Sequence, residues 1–128
     1  MLSLEIKLSA IPSIKQESDR QALIKALLEN KIDIIATDHA PHTWEEKSKP
    51  YPEAPAGLPL VQHGLQILMD FYHQDILSLE TIVEKTSHNV AKRFQIKDRG
   101  FIREGYFADL AVLDHDKPYE AVSYTHLR

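Results

Sequence analysis

Cysteine is absent from the 128 residues, which removes disulfide frameworks, thiolate metal sites and thiol nucleophiles from consideration. No apolar run approaches the ~20 residues of a membrane span, and the first residues lack a signal-peptide pattern, so a cytoplasmic location is expected. A strong excess of either charge is lacking as well: 15 Lys and Arg against 19 Asp and Glu leave a formal net charge of −4. That balance gives no support for a nucleic-acid partner or for binding to an acidic membrane. There is no internal repeat, no low-complexity tract and no His-x-His pair. What is present is an ordinary globular composition, 43% hydrophobic and 27% charged, in a chain long enough for one domain with a real core. Seven histidines are many for this length and give a weak pointer to metal or acid-base chemistry.

One stretch organises the rest: Ile34-Ile35-Ala36-Thr37-Asp38-His39-Ala40-Pro41-His42-Thr43-Trp44-Glu45-Glu46-Lys47. The apolar run suits a strand buried on both faces, although periodicity alone does not separate it from a helix. Pro41 has no amide hydrogen and keeps its neighbour extended, so no helix continues through it. Asp38 is therefore expected where a buried strand opens into a loop, the place where ligands and chemistry collect in parallel α/β folds. Taken as a bare dipeptide, Asp38-His39 is more often a turn with local hydrogen bonds than an active site.

Around this stretch the pattern alternates strand and helix. Leu4-Glu5-Ile6-Lys7-Leu8 alternates apolar and charged residues, which predicts a short strand ending before Pro12. Ser18 to Asn30 predicts a helix, with Ser18 as cap, Gln21 as its capping-box partner, and Leu23, Ile24, Leu27 and Leu28 on one face. Lys25 and Glu29 form an i,i+4 pair, and Asn30 is a C-terminal stop. A strand over Asp33–Thr37 completes a strand-helix-strand unit of a parallel sheet. Thr43 to Pro59 predicts a long loop rich in proline, in which Ala56-Gly57 offers a backbone that a ligand can approach closely. On residue types alone, a rigid surface loop is an equal reading.

Pro59 to His73 predicts a helix with a wide apolar face, and His63 on it reads as a core or interface histidine. Ser78–Thr86 and Ser87–Phe94 predict two short capped helices, with His88 structural. Phe101 to Asp114 predicts strand, turn, strand, with positive φ at Gly105.

The hexapeptide Thr37-Asp38-His39-Ala40-Pro41-His42 resembles the last metal-site motif of dihydroorotases, in the cyclic amidohydrolase branch of the amidohydrolase superfamily. Trp44-Glu45-Glu46-Lys47, Ala54-Pro55-Ala56-Gly57-Leu58-Pro59-Leu60-Val61-Gln62-His63, Arg99 to Gly105 and Ala108 to Asp114 extend the resemblance, which runs from about Ile11 to Asp114. It covers the C-terminal third or so of such an enzyme. The fold class it implies is α/β: the C-terminal part of a TIM-barrel metal-dependent hydrolase, followed by the start of a small β-sandwich. Residues 1–98 are then closing βα units of the barrel, 99–116 strands of the sandwich, and 117–128 a non-native or disordered tail; Ser123 to Arg128 looks like translated sequencing adapter. A complete barrel needs about 250 residues, so the chain is expected to be an incomplete, inactive fragment.

The activity implied is zinc-dependent reversible cyclisation of N-carbamoyl-L-aspartate to L-dihydroorotate, a step of pyrimidine synthesis. By resemblance Asp38 is both metal ligand and catalytic acid/base, while His42, Ala56 and Gly57 bind substrate. His39 orients Asp38 or packs. Zn2+ is the implied cofactor, its other ligands lying outside this chain. A chain with one such carboxylate is expected neither to hold zinc tightly nor to turn over dihydroorotate, since an open zinc site takes about three protein ligands. The implied partners are a small-molecule substrate and other copies in a homo-oligomer of the complete enzyme. Ile11 stands where the family has a substrate-contacting Asn, and Ile offers no side-chain hydrogen bond. An allantoinase-like or dihydropyrimidinase-like hydrolase, or a non-catalytic assembly partner, are the alternative readings.

Overall fold

The computed structural model describes Ile14 and residues 16–117. The expected strand over Leu4–Leu8, Ile11 and the terminal Ser123–Arg128 lie outside these residues. The chain divides into two compact units, Met1–Ile67 and Leu68–Arg128. Among the described residues, no helix is long and apolar enough to cross a membrane.

In the first unit, helix α1 (Glu17–Leu28) is capped at Gln16, two residues earlier than the Ser18 cap its sequence predicts. The Gln16 N–H donates to the Asp19 carboxylate at 3.2 Å, so Asp19 serves the turn that Ser18 and Gln21 were expected to close. Gln21 instead joins Arg20 on the Glu17 carboxylate, at 2.6 and 2.7 Å. The Lys25–Glu29 pair forms at 3.8 Å. Of the four apolar residues expected on one face, Leu27 is buried and Ile24 half-buried, while Leu23 and Leu28 remain exposed.

The helix ends as predicted at Asn30, whose φ is +55°. Asn30 donates to Leu27 O and Lys31 to Ala26 O, at 3.2 and 2.9 Å. This is a Schellman closure with a left-handed residue just past the helix. The same closure recurs in the second unit. Asp75 (φ +56°) ends α3 (Gly64–His73), and Gln95 (φ +53°) ends α5 (Asn89–Arg93). The paired bonds there run Asp75 to Tyr72 O with Ile76 to Phe71 O, and Gln95 to Lys92 O with Ile96 to Ala91 O.

The strands fare differently. Asp33–Thr37 forms no strand, and its residues are half-buried or exposed instead of buried on both faces. A parallel strand exists only through hydrogen bonds to neighbours remote in sequence. Among the described residues that pairing is reduced to one isolated parallel bridge, His39 with Leu58. The long loop also departs from expectation, because Trp44–Lys47 forms a short helix, α2. At α3 the helix starts at Gly64, five residues after the proline expected in its first turn. The intervening Val61 N–H is donated to His39 Nδ1 at 3.1 Å, which holds this segment to the bridge. Gly64 sits against Thr37, where a Cβ would come within 2.6 Å of the threonine methyl.

In the second unit, Leu68, Leu77, Ile82, Ala91 and Lys85 are buried. Ser78 caps α4 (Leu79–Val83) by accepting from the Thr81 N–H, as expected. The next helix does not restart at Ser87. The backbone runs on through a π-helical turn, Glu84–His88, into α5. Ser87, freed from capping, donates to Gly100 O at 3.3 Å. His88 stacks on Phe101 with ring centroids 4.3 Å apart and planes 7° from parallel, and the Arg103 guanidinium lies over the same Phe101 ring, 4.4 Å from its centroid.

The turn predicted near Gly105 forms, with φ +82° there and Tyr106 donating to Arg103 O at 3.1 Å. The strands on either side do not form among the described residues: Ile102 and Val112 are 88% and 96% exposed. Asp109 pairs with Arg99, whose guanidinium lies 4.1 Å from the Phe107 ring. A structural role for Asp109 accords with that pair.

Gln95 holds its left-handed φ against a steric cost of roughly 1–2 kcal/mol that glycine does not incur. Gln95→Gly is expected to raise the urea midpoint of unfolding, a gain in stability of up to about 1 kcal/mol after the greater unfolded-state freedom of glycine is deducted.

Candidate active site

Two segments of the first unit meet, one after Thr37 and one before Pro59. The His39–Leu58 bridge joins them, and the Ala40 N–H donates to Leu58 O at 3.1 Å. Their approach is close enough that only glycine fits at residue 57. Its φ is +139°, and a Cβ there would lie 2.5 Å from Ala40 O and 2.7 Å from Ala40 Cβ. Side chains then fasten the crossing. His42 Nε2 lies 3.0 Å from Ala56 O, and since a carbonyl only accepts, that nitrogen carries the hydrogen. His39 Nδ1 accepts the Val61 N–H, which puts the His39 proton on Nε2.

Thr43 starts α2 immediately after the histidine motif. Its hydroxyl accepts the Glu46 N–H at 3.2 Å, and its own N–H is donated to Glu46 Oε2 at 2.8 Å. This reciprocal capping box was written in the sequence as Thr43-Trp44-Glu45-Glu46. The bond from the Thr43 N–H is the main reason the Glu46 carboxyl titrates below the ordinary value, with the nearby His42 adding a smaller pull. Glu46 Oε2 stands 3.6 Å from His42 Nδ1, so the same carboxylate borders both the helix cap and the histidine.

The residue at the end of α2 was not expected to matter. Lys47 is buried, and its ammonium donates to Pro55 O at 2.8 Å and to Gly57 O at 3.2 Å. The only sequence signal for it was its place in the Glu-Glu-Lys extension, opposite a proline-rich loop.

Of the four residues expected at the site, His42, Ala56 and Gly57 are brought together. Asp38 sits next to the bridge, exposed, with φ +47°. Among the described residues its carboxylate accepts no hydrogen bond, which leaves both oxygens open to a ligand or to water. A divalent cation would accept such a carboxylate as one oxygen donor. Among the described residues, however, no group of three His, Asp or Glu side chains converges to hold a metal ion. These residues therefore fit one corner of a metal centre and do not compose one.

Gly57→Ala is expected to break the crossing, because the methyl would strike backbone, not a yielding side chain. The loss of the Ala40–Leu58 bond should appear as faster exchange of the Ala40 amide, with destabilisation above about 1 kcal/mol. The lowered Glu46 pKa gives a signed pH dependence. Its contribution is fully present above the unperturbed value of 4.5 and is lost as pH falls through the lowered folded value. Acid titration followed by NMR should show α2 loosening in that window, and Glu46→Gln should abolish the transition.

The Amidohydrolase family model matches residues 4–127. The chain is 38% identical over 109 residues to a dihydroorotase of Clostridium acetobutylicum, covering 84% of this chain and 26% of that protein. It is 42% identical over 107 residues to a dihydroorotase of Fusobacterium nucleatum, with 83% and 25% covered. A dihydroorotase of Pyrococcus abyssi is 39% identical over 112 residues, with 88% and 26% covered. The chain thus spans about a quarter of the length of these curated relatives. With the family match running through the crossing of Asp38–His42 with Pro55–Leu58 and on to the second unit, this chain belongs to the amidohydrolase family.

Proposed function

We propose that this chain is the site-bearing C-terminal part of a dihydroorotase, which interconverts N-carbamoyl-L-aspartate and L-dihydroorotate. The observation that carries the reading is the crossing itself: an exposed carboxylate at Asp38 lies one residue from a bridge that brings His42 beside Ala56-Gly57. The resemblance of the chain to dihydroorotases along its length supports it. In this reading, residues 1–98 complete a TIM barrel and 99–116 begin a β-sandwich, each once the remaining three quarters of the relatives' length supplies the neighbouring strands. The complete enzyme is a cytoplasmic homo-oligomer that binds Zn2+.

In the hydrolytic direction water adds to the cyclic amide carbonyl, the carbon–nitrogen bond breaks, and the nitrogen leaves with a proton. Asp38 has an open carboxylate of the kind that can take the proton from water and deliver it to the departing nitrogen. In the same reading Asp38 supplies one oxygen ligand to zinc. When bound, the zinc provides Lewis acidity and a water of lowered pKa. His42 contacts the substrate carboxylate or positions the ring, and the Ala56-Gly57 backbone completes that pocket, leaving the amide carbonyl toward Asp38.

Fusing this chain to the preceding three quarters of the Fusobacterium nucleatum protein tests the reading. The fusion should interconvert the two compounds, and Asp38→Asn should cut kcat by about 10²–10⁴-fold. A fusion that folds and binds zinc yet acts on allantoin or hydantoin in place of dihydroorotate would reassign the substrate. Full activity in the Asn variant would remove Asp38 from the chemistry.

A further inference from the structure

Lys47 is a buried cation with no place in the chemistry just described. Among the described residues its charge is met by two carbonyl oxygens, those of Pro55 and Gly57, and not by a carboxylate. An ammonium is expensive to remove from water. If the position needed only filling, an unbranched apolar side chain such as Met would do so without that cost. What an apolar chain cannot do is draw oxygen atoms toward itself. The oxygens drawn here flank the Ala56 carbonyl, which His42 takes. Carbonyls of three successive residues are therefore fixed by two side chains, Lys47 and His42, from the segment that follows Asp38. The loop that presents them has no regular structure of its own between Lys49 and Gly57.

We propose that Lys47 is a positioning residue for substrate binding, its ammonium holding the Pro55 and Gly57 carbonyls so that the Ala56-Gly57 backbone is fixed beside His42. The inference rests on the reading that this backbone contacts substrate. Lys47 itself touches none of the reacting atoms; it acts through the loop. Hydrogen bonds from a charged donor are about twice as strong as neutral ones, and losing the donor leaves two carbonyls unpaired. Position 47 also lies at the end of a helix whose start is fixed by the Thr43–Glu46 capping box. The donor is thereby set at a fixed distance along the chain from His42.

The test uses the full 128-residue chain, labelled with nitrogen-15, as wild type, Lys47→Met and Lys47→Arg. Without ligand, the readouts are the His42 Nε2–H resonance and hydrogen exchange at the Ala40 amide, with thermal melting to report the fold. Lys47→Met should lose the imidazole resonance and exchange Ala40 about tenfold faster, whereas Lys47→Arg, which can still donate to carbonyls, should keep both near wild type. The three forms are then each fused to the preceding three quarters of the Fusobacterium nucleatum protein, and N-carbamoyl-L-aspartate is titrated into the fusions while the Ala56 and Gly57 amide shifts are followed. The Met variant should raise Kd about tenfold and the Arg variant should restore it. Unchanged order and unchanged Kd in a folded Met variant overturn the proposal. If the Met variant does not fold, a folded Arg variant that leaves His42 and Ala40 unprotected overturns it equally. If no fusion, wild type included, responds to N-carbamoyl-L-aspartate, the substrate reading fails, while the exchange and imidazole signals of the 128-residue chain still decide whether Lys47 holds the loop.

Discussion

A lysine ammonium removed from water must find oxygen, and in this chain it finds the backbone of a proline-rich loop. The Pro55 and Gly57 carbonyls turn toward Lys47, the Ala56 carbonyl toward His42, and the Leu58 carbonyl toward the Ala40 N–H. Four consecutive carbonyls are thus bound by the segment that follows Thr37. The absence of a side chain at Gly57 lets the two backbones approach to the distance these bonds need. Remove the close approach and the bonds lengthen together, because a planar peptide carries its neighbours with it.

This arrangement divides labour within a short stretch. His39, His42, Thr43, Glu46 and Lys47 are all engaged in holding backbone, through a bridge, a cap or a carbonyl. Asp38, adjacent to them, is exposed and its carboxylate is uncommitted among the described residues. A carboxylate without a competing partner suits the role proposed for Asp38, while the groups around it supply rigidity. The strained φ of +47° at Asp38 fits the same division, since a non-glycine residue held in that region needs surroundings that fix it.

Legibility from sequence followed the range of the interaction. The helices after Gln16, around Leu68 and around Ile82 were readable because their bonds join residues three or four apart. The start shifted by two residues at α1, where Asp19 serves the nearer cap, and by five at α3, while α4 keeps its expected Ser78 cap. The capping box that makes α2 is also legible in Thr43 and Glu46, but the prolines beyond it dominate the pattern and predict loop. The strand expected over Asp33–Thr37 and the pair around Gly105 did not form among the described residues, although their residue types suit strands. A strand is stabilised by pairing with remote segments, and this chain spans only a quarter of its relatives.

The sequence by itself determined the motif: which residues could carry chemistry, where proline forbids helix, and that Ala56-Gly57 leaves room for a close neighbour. Only the tertiary structure decided what those residues touch. Residue type says that Lys47 is charged and His39 polar; it does not say that one is buried against carbonyls and the other accepts the Val61 amide. Those partners lie eight to twenty-two residues away, and such contacts are chosen by how the chain returns on itself, which local preference does not encode.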